Sequence, residues 1–178
     1  ELVDTGVFDD DRYWVVTVDY AKDGPHDLLM RITIENAGPD PATLHVLPTL
    51  WFRNTWSWGY DVEKPSLRLD GERIVGAGPS GALALRGDGA PEALFCDNET
   101  NTARLFGASA EESPAYPKDG INDHIVDGAA TVNPDRTGTK AALHYTVELG
   151  PGETRVIRVR LTGAEATPAA LAAQELGP

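Results

Sequence analysis

The chain has 178 residues, of which 41% are hydrophobic and 24% charged, and this length suits one domain better than two. Its 15 Lys and Arg residues against 28 Asp and Glu give a net charge of −13, which repels nucleic acid and argues against it as a partner. The single cysteine, Cys96, cannot form a disulfide within the chain and favours a cytoplasmic location.

Two further features concern membranes and the start of the chain. No apolar run approaches the ~20 residues of a membrane-spanning helix, so we predict no membrane partner. The first residue is Glu1 and the only methionine is Met30, so we expect the chain to be a piece of a longer protein. Such a piece can lack the residues that perform the chemistry of its parent.

Extended segments dominate the first third of the chain. Residues 12–20 are rich in β-branched and aromatic residues, which predicts a strand, and residues 22–25 have the composition of a turn. In Asp27–Asn36 the apolar residues recur with a period of two, which predicts a strand with one buried face. Gly and Pro then break the chain at residues 37–41, and residues 42–52 resume the extended pattern. We predict an antiparallel meander of three strands.

Shorter strands are predicted through the rest of the chain. Spacing of this kind, with Gly-rich turns between short extended runs, is typical of a β-sandwich or a β-barrel. Alternation is clearest on either side of the turn at residues 150–153, where it predicts a hairpin. The short runs lie at residues 66–69, 73–75, 82–85 and 92–95, and the hairpin strands at 141–149 and 154–161.

Two other segments complete the predicted organisation. Residues 98–133 are polar, rich in Gly and Pro, and too long for a hairpin loop, which indicates a functional segment or one packed against a partner. Near the end, Thr167 as N-cap and Pro168 at the first helical position predict a short helix. We therefore predict an all-β fold, an antiparallel β-sandwich with a long irregular segment over residues 1–165, followed by a C-terminal helical linker over residues 166–178.

The most unusual stretch lies at residues 50–59, which contain three of the four tryptophans. Aromatic rings pack on the apolar faces of sugars, and neighbouring Arg and Asn side chains can bind hydroxyl groups, so carbohydrate contact is one interpretation. Tryptophans at this density also occur in sheet cores and desolvated interfaces, so packing within the domain or against another domain is the other. The candidate residues for either role are Trp51, Arg53, Asn54, Trp56 and Trp58.

No complete catalytic set can be selected from the sequence. Glycosidases use two carboxylates about 5 to 10 Å apart, and no such pair stands out. In residues 97–101, side chains with oxygen atoms alternate along the chain as they do in calcium-binding loops, but the glycine and the terminal Glu of an EF-hand are absent. Capping of the loop by Asx side chains is the alternative interpretation. The spacing of the histidines does not match that of metal ligands. Residues 118–120 are not followed by a helix signal, so they do not form a phosphate-binding loop. We predict no catalytic residue, no metal and no cofactor.

Five blocks of sequence together resemble one protein family. They are similar to the non-catalytic β domain of large bacterial proteins related to glycoside hydrolase family 63, which are relatives of mannosyl-oligosaccharide glucosidase that also resemble mannosylglycerate hydrolase. Their combined length makes the resemblance more specific than a short motif. The blocks are residues 1–13, 47–59, 97–107, 118–122 and 132–142.

The resemblance implies a β-sandwich of the supersandwich kind, placed before an (α/α)6 barrel that hydrolyses α-glycosidic bonds with inversion. The barrel carries the acid and base carboxylates and is missing here, so no catalytic residue can be carried over. The expected function is that of an accessory domain of a glucosidase-like enzyme, and the expected partner is the C-terminal barrel of its own protein.

Two other functions stay open. A carbohydrate-binding module would use the same aromatic residues as an exposed platform, and its partner would be an oligosaccharide. A free-standing sugar epimerase would need a histidine and a carboxylate that meet in a cleft, for which His124 with Asp123 or Asp127 is the local candidate.

Overall fold

The computed structural model describes residues 1–59, 62–78, 81–109 and 111–163. Over these ranges the chain is mainly β, with eleven strands, two short α-helices and two 3₁₀ helices. The strands are β1 (Trp14–Gly24), β2 (Asp27–Asn36), β3 (Ala42–Val46), β4 (Thr49–Trp51), β5 (Ser66–Asp70), β6 (Arg73–Gly78), β7 (Gly81–Gly87), β8 (Glu92–Cys96), β9 (Thr137–Gly138), β10 (Lys140–Leu149) and β11 (Thr154–Gly163). The α-helices are α1 (Thr102–Phe106) and α2 (Gly120–Asp127), and the 3₁₀ helices span Leu2–Thr5 and Trp56–Trp58.

The larger sheet has seven antiparallel strands in the order β1-β2-β11-β7-β6-β5-β9. β1 and β2 form the predicted hairpin, although β1 continues past the predicted end to Gly24. β1 is an edge strand and is mostly exposed. Val16 and Val18 therefore remain partly exposed, although their cross-strand neighbours Ile34 and Ile32 are buried.

The smaller sheet is built around β10. β8 pairs with one side of β10, and β3 and β4 pair with the other side in a single register. Leu47 and Pro48 separate β3 from β4, because proline has no amide hydrogen to donate to the ladder. The Pro48 carbonyl still accepts a hydrogen bond from the Leu143 amide at 3.0 Å. The predicted extended segment of residues 42–52 is thus two strands, and it lies in a different sheet from β1 and β2.

The predicted hairpin around residues 150–153 is wrong, although both of its strands exist. β10 belongs to the smaller sheet, whereas β11 pairs with β2 and β7 in the larger one. The turn instead crosses between the sheets and is held by Asn36 at the end of β2. The Asn36 side-chain amide donates to the Leu149 carbonyl at 2.9 Å, and the Gly152 amide donates to the Asn36 carbonyl at 2.8 Å. Alternation specifies which face of a strand is buried but not which strand lies beside it.

The apolar faces of the two sheets contribute to one core. Strands β2, β5, β6, β7 and β11 of the larger sheet and β8 and β10 of the smaller sheet all supply buried side chains. The predicted alternation is confirmed in β2, β10 and β11, whose alternate apolar residues lie in or against this core. The buried members are Ile32, Ile34, Leu67, Ile74, Leu85, Phe95, Ala141, Leu143, Val147, Ile157 and Val159.

The outer face of the smaller sheet carries a second apolar cluster. Leu94, Cys96 and Ala142 of the sheet cluster with Ile121 of α2, and all four are buried. Part of the segment predicted to be irregular, residues 98–133, therefore folds back onto the domain's own sheet.

The helix α2 corrects the prediction that no helix follows residues 118–120. It begins at Gly120, a residue that usually disfavours helices. Here glycine is required, because a Cβ at this position would lie 3.2 Å from the Thr131 carbonyl carbon and closer still to its oxygen. The close approach of two backbone segments explains the glycine, and no local pattern reveals that approach.

The predicted helix in residues 166–178 lies outside the described residues, and the domain boundary at residue 165 stays a prediction. Among the described residues, no helix combines the length and the apolar character needed to cross a membrane.

Candidate functional site

The tryptophan segment, residues 51–59, begins where β4 ends and includes the 3₁₀ helix Trp56–Trp58. Asn54 supports the start of this helix, because its side-chain oxygen accepts hydrogen bonds from the Ser57 amide at 3.2 Å and the Ser57 hydroxyl at 2.8 Å. Gly59 ends the helix with a φ of 79°, which glycine adopts without strain. The Asn54 side-chain oxygen is therefore used inside the segment.

The three tryptophans of this segment have different surroundings. Trp56 is partly buried, and its indole N–H donates to Glu99 Oε1 at 2.7 Å. Trp51 and Trp58 are 57% and 52% exposed. The Arg53 guanidinium lies 5.0 Å from the centre of the Trp58 ring, in a cation–π contact. Trp56 thus belongs to the internal packing, whereas Trp51, Arg53 and Trp58 contribute to the surface.

A polar network joins the tryptophan segment to the start of the polar segment. Glu99 Oε1 also accepts from Lys64 Nζ at 2.8 Å, and Lys64 Nζ donates to Asp97 Oδ2 at 2.9 Å. Partial burial of Lys64 opposes its protonation, but the hydrogen bonds to Glu99 and Asp97 outweigh this effect and raise its pKa. Lys64 therefore stays charged at neutral pH and bridges the two carboxylates.

Asp97 connects this network to the buried backbone at the start of β10. Its Oδ1 accepts from the Thr139 amide at 3.1 Å and the Thr139 hydroxyl at 3.2 Å, and Thr139 is buried. The Thr139 hydroxyl oxygen accepts from the Asn98 amide at 2.7 Å, and the Asn98 side chain donates to the Phe52 carbonyl at 2.9 Å. These bonds fix the base of the tryptophan segment against the smaller sheet.

We expect Asp97→Ala to lower the free energy of unfolding by about 1–3 kcal/mol, because it leaves the buried Thr139 amide without an acceptor. Asp97→Asn keeps a side-chain oxygen at the same place and should lose less than about 1 kcal/mol. Urea unfolding of both variants measures the difference. Equal losses would show that the charge on Asp97, rather than the acceptor for Thr139, stabilises the domain.

Asx capping, one of the two interpretations of residues 97–101, is confirmed at Asn101. Its side-chain oxygen accepts from the Arg104 amide at 3.0 Å and caps α1. The other carboxylates and amides of this stretch bind protein groups, as described above for Asp97, Asn98 and Glu99.

The two α-helices form an outer layer that exposes apolar side chains. Arg104 of α1 pairs with Asp123 of α2 at 3.0 Å, which ties the helices together. Leu105 and Phe106 at the end of α1 are largely exposed, and Val126 on α2 is exposed as well. Exposed apolar side chains therefore occur in the two helices of residues 98–133 as well as in the tryptophan segment.

The side chains of His124 and Cys96 are in contact with other groups of the protein. His124 Nδ1 lies 2.8 Å from the Ala129 carbonyl oxygen, whereas Asp123 pairs with Arg104. The His124–Asp123 pair that an epimerase would need is therefore not formed, because each residue binds a different partner. Burial raises the pKa of the Cys96 thiol to about 11, so the thiol is protonated at neutral pH and packs as a small apolar group.

The structure adds Lys64 and Thr139, which sequence reasoning did not select, to this site. Lys64 lies 33 residues before Asp97 in the chain, and neither residue belongs to a recognisable motif. The sequence assigns Glu99 no role of its own, since it belongs only to the calcium or Asx-capped loop of residues 97–101 and to one of the blocks that carry the family resemblance. The clustering of tryptophans was the one local signal that pointed to this region.

Comparison with known proteins adds a relative of much greater length. The chain matches no protein-family model. It is similar to a protein of Saccharomyces cerevisiae named "Uncharacterized protein YMR196W", with 31% identity over an alignment of 186 positions. The match covers 86% of this chain and 17% of the yeast protein, so the chain spans about one sixth of the length of that relative.

Proposed function

We propose that this chain is an accessory β-sandwich domain of a larger, glucosidase-like α-glycosidase that resembles glycoside hydrolase family 63, and that it packs against the catalytic barrel and shapes its cleft. The observation that carries the proposal is the exposure of Trp51 and Trp58 beside a fixed polar network. Aromatic residues and Arg are enriched where protein surfaces become buried in interfaces, and clustered exposed apolar groups are typical of such surfaces.

The fold supports a sandwich of the supersandwich kind. Two antiparallel sheets contribute to one core, and the smaller sheet carries a second layer of packing on its outer face. An accessory domain needs such a rigid body, because it can hold an interface in place only if its own core does not rearrange.

The yeast relative supports the accessory part of the proposal. There the matching region is a small part of a much longer polypeptide. A domain with this share of the whole is expected to fold beside other domains and to contact them.

A carbohydrate-binding module is the second candidate, and the contact of Arg53 with Trp58 favours it. A partly exposed indole ring beside a guanidinium offers both a stacking face and hydrogen-bond donors for sugar hydroxyls. Stacking of this kind would give millimolar to micromolar affinity, about −4 to −8 kcal/mol.

The proposal is tested with the chain and the rest of its protein produced separately. We expect the two parts to associate, and we expect the combined Trp51→Ala and Trp58→Ala variant to bind at least about 30-fold more weakly, since an aromatic hot spot contributes about 2 kcal/mol or more. Tyr13→Ala is the matched control, because Tyr13 is exposed and lies beside Ala42, which pairs with the opposite end of β10 from Trp51. Isothermal titration calorimetry gives both affinities.

Glycosidase assays and sugar titrations separate the two candidates. Full activity of the longer protein without residues 1–178 would contradict the accessory role, and so would glycoside cleavage by the chain alone. A saturable change in tryptophan fluorescence with malto-, trehalose- or manno-oligosaccharides, lost in Trp58→Ala, would support the binding module instead.

A further inference from the structure

The two edges of the larger sheet differ in length and composition. One edge is β9, which has 2 residues, whereas the other is β1, which has 11. Natural sheets protect their edges with short strands, prolines, bulges or charged side chains that point inward. β1 contains no proline, and its register with β2 is regular from Trp14 to Lys22, with a shift only between Lys22 and Gly24. The edge of β1 is therefore open to pairing with another strand.

Backbone groups of alternate β1 residues point outward at this edge. The Ala37 amide donates to the Tyr13 carbonyl at 3.1 Å, so Tyr13 faces β2. Successive residues of an antiparallel ladder point their N–H and C=O groups to opposite sides, so those of Trp14 and of every second residue after it face away from β2. Opposite Trp14, the Asn36 amide accordingly donates away from β1, to the Glu153 carbonyl at 3.1 Å. In the described part of the chain, no strand pairs with these outward groups.

The same alternate residues carry apolar side chains. Val16, Val18 and Tyr20 lie opposite residues of β2 that belong to the core or pack against it, and they share that face of the sheet. The smaller sheet leaves this part of the face largely uncovered, since the three side chains are 49%, 41% and 65% exposed. The edge thus combines free backbone groups with exposed apolar side chains, and a further strand that pairs with β1 would bury both.

We propose that the strand that pairs with β1 is β1 of a second copy of this chain, in antiparallel orientation about a two-fold axis at Val18. The regular part of β1, from Trp14 to Lys22, is centred on Val18, so this register uses all its outward groups and forms about ten backbone hydrogen bonds. It places Val16 opposite Tyr20 of the other copy, an aromatic and β-branched pair of the kind that stabilises sheets. The two larger sheets become one continuous sheet.

The charges along β1 favour this register over its neighbours, because like charges directly opposite each other weaken strand pairing. An axis one residue later, at Asp19, would place the Asp19 carboxylates of the two copies opposite each other. An axis one residue earlier, at Thr17, would place Lys22 opposite Arg12 of the other copy. With the axis at Val18, Asp19 lies opposite Thr17, whose hydroxyl can donate to a carboxylate. Electrostatics therefore selects the same register as the length of the regular ladder.

Sedimentation of the 178-residue chain at concentrations from about 1 to 500 µM tests the proposal, in about 0.3 M salt to screen the repulsion between two chains of charge −13. We expect a concentration-dependent dimer, which is weak because two edge strands bury less area than a standard interface. Val18→Lys should weaken dimerisation at least about tenfold, because each dimer then carries two lysines at its axis. Val126→Lys is the matched control, since Val126 is an exposed valine of α2, and its dimerisation should equal that of the wild type.

Hydrogen exchange of the wild type, resolved by residue with NMR, tests the pairing without any substitution. The outward amides of Val16, Val18 and Tyr20 should exchange about threefold more slowly when the chain is concentrated from about 20 to 500 µM, because the monomer fraction falls. The amides of the intervening residues, which face β2, should change little. A chain that stays monomeric would overturn the proposal, and so would a dimer that Val18→Lys leaves unchanged or one that forms without protection of the three outward amides.

Discussion

Replacing Phe95 with Ala is expected to lower the free energy of unfolding by about 3–5 kcal/mol, the loss typical of a large aromatic residue removed from a core. Phe95 is 1% exposed and belongs to the core shared by the two sheets. It lies on β8, whose cross-strand partner is β10. The cavity would therefore form between the two sheets, where neighbouring side chains can collapse only in part.

Urea unfolding measures this loss as a shift of the midpoint with an unchanged m-value. Phe95→Leu retains most of the apolar volume and should lose less. Phe106→Ala removes the same ring from a surface position that is 76% exposed and should change stability by about 0.5 kcal/mol or less. A similar loss for Phe106→Ala would contradict the assignment of Phe95 to the core.

Gly138→Ala is expected to destabilise the domain by about 3 kcal/mol, the upper end of the usual effect of overpacking. A Cβ on Gly138 would lie 2.9 Å from the Cys96 carbonyl carbon and closer still to its oxygen. The obstacle is backbone, so β8 or β9 must move. Such a shift would displace Thr139 from Asp97 and loosen the network below the tryptophan segment. Urea unfolding gives the loss, and tryptophan fluorescence reports the change around Trp56.

Gly24→Ala provides the matched control for Gly138→Ala. At Gly24 the nearest atom to an added Cβ is the Asp27 Cβ, at 4.0 Å, which is ordinary contact. We expect its stability to differ from the wild type by about 0.5 kcal/mol or less. Equal losses for the two alanines would contradict the clash with Cys96 as the cause, and backbone entropy could not explain them, because alanine lowers the entropy of the unfolded chain and so stabilises the fold.

The candidate site was only partly predictable from the sequence. The clustered tryptophans identify the region, but spacing along the chain does not distinguish Trp56, which bonds to Glu99, from Trp58, which is half exposed. Burial of an indole depends on what packs over it. Here Glu99 accepts the hydrogen bond of the Trp56 indole, and Lys64, from another part of the chain, binds Glu99.

Strand pairing, too, was only partly predictable from the sequence. The alternation in β10 and β11 correctly indicates which side chains face the core. The same alternation fits a hairpin and a pair of strands in opposing sheets equally well, because both arrangements bury the same residues. Hydrogen bonds from Asn36 and Gly152 hold the turn at the end of β2, and this anchor is formed by residues more than one hundred positions apart.

Residue types and their spacing predict the mainly β character, most of the strands and their buried faces, and the position of the tryptophan cluster. These follow from residue type and from a period of two, which are local properties. The allocation of strands to two sheets, the helix at Gly120 and the network around Glu99 emerge only when the chain is folded. Each of these depends on contacts between distant segments, and the free energy of such contacts is set by geometry that no short stretch of sequence contains.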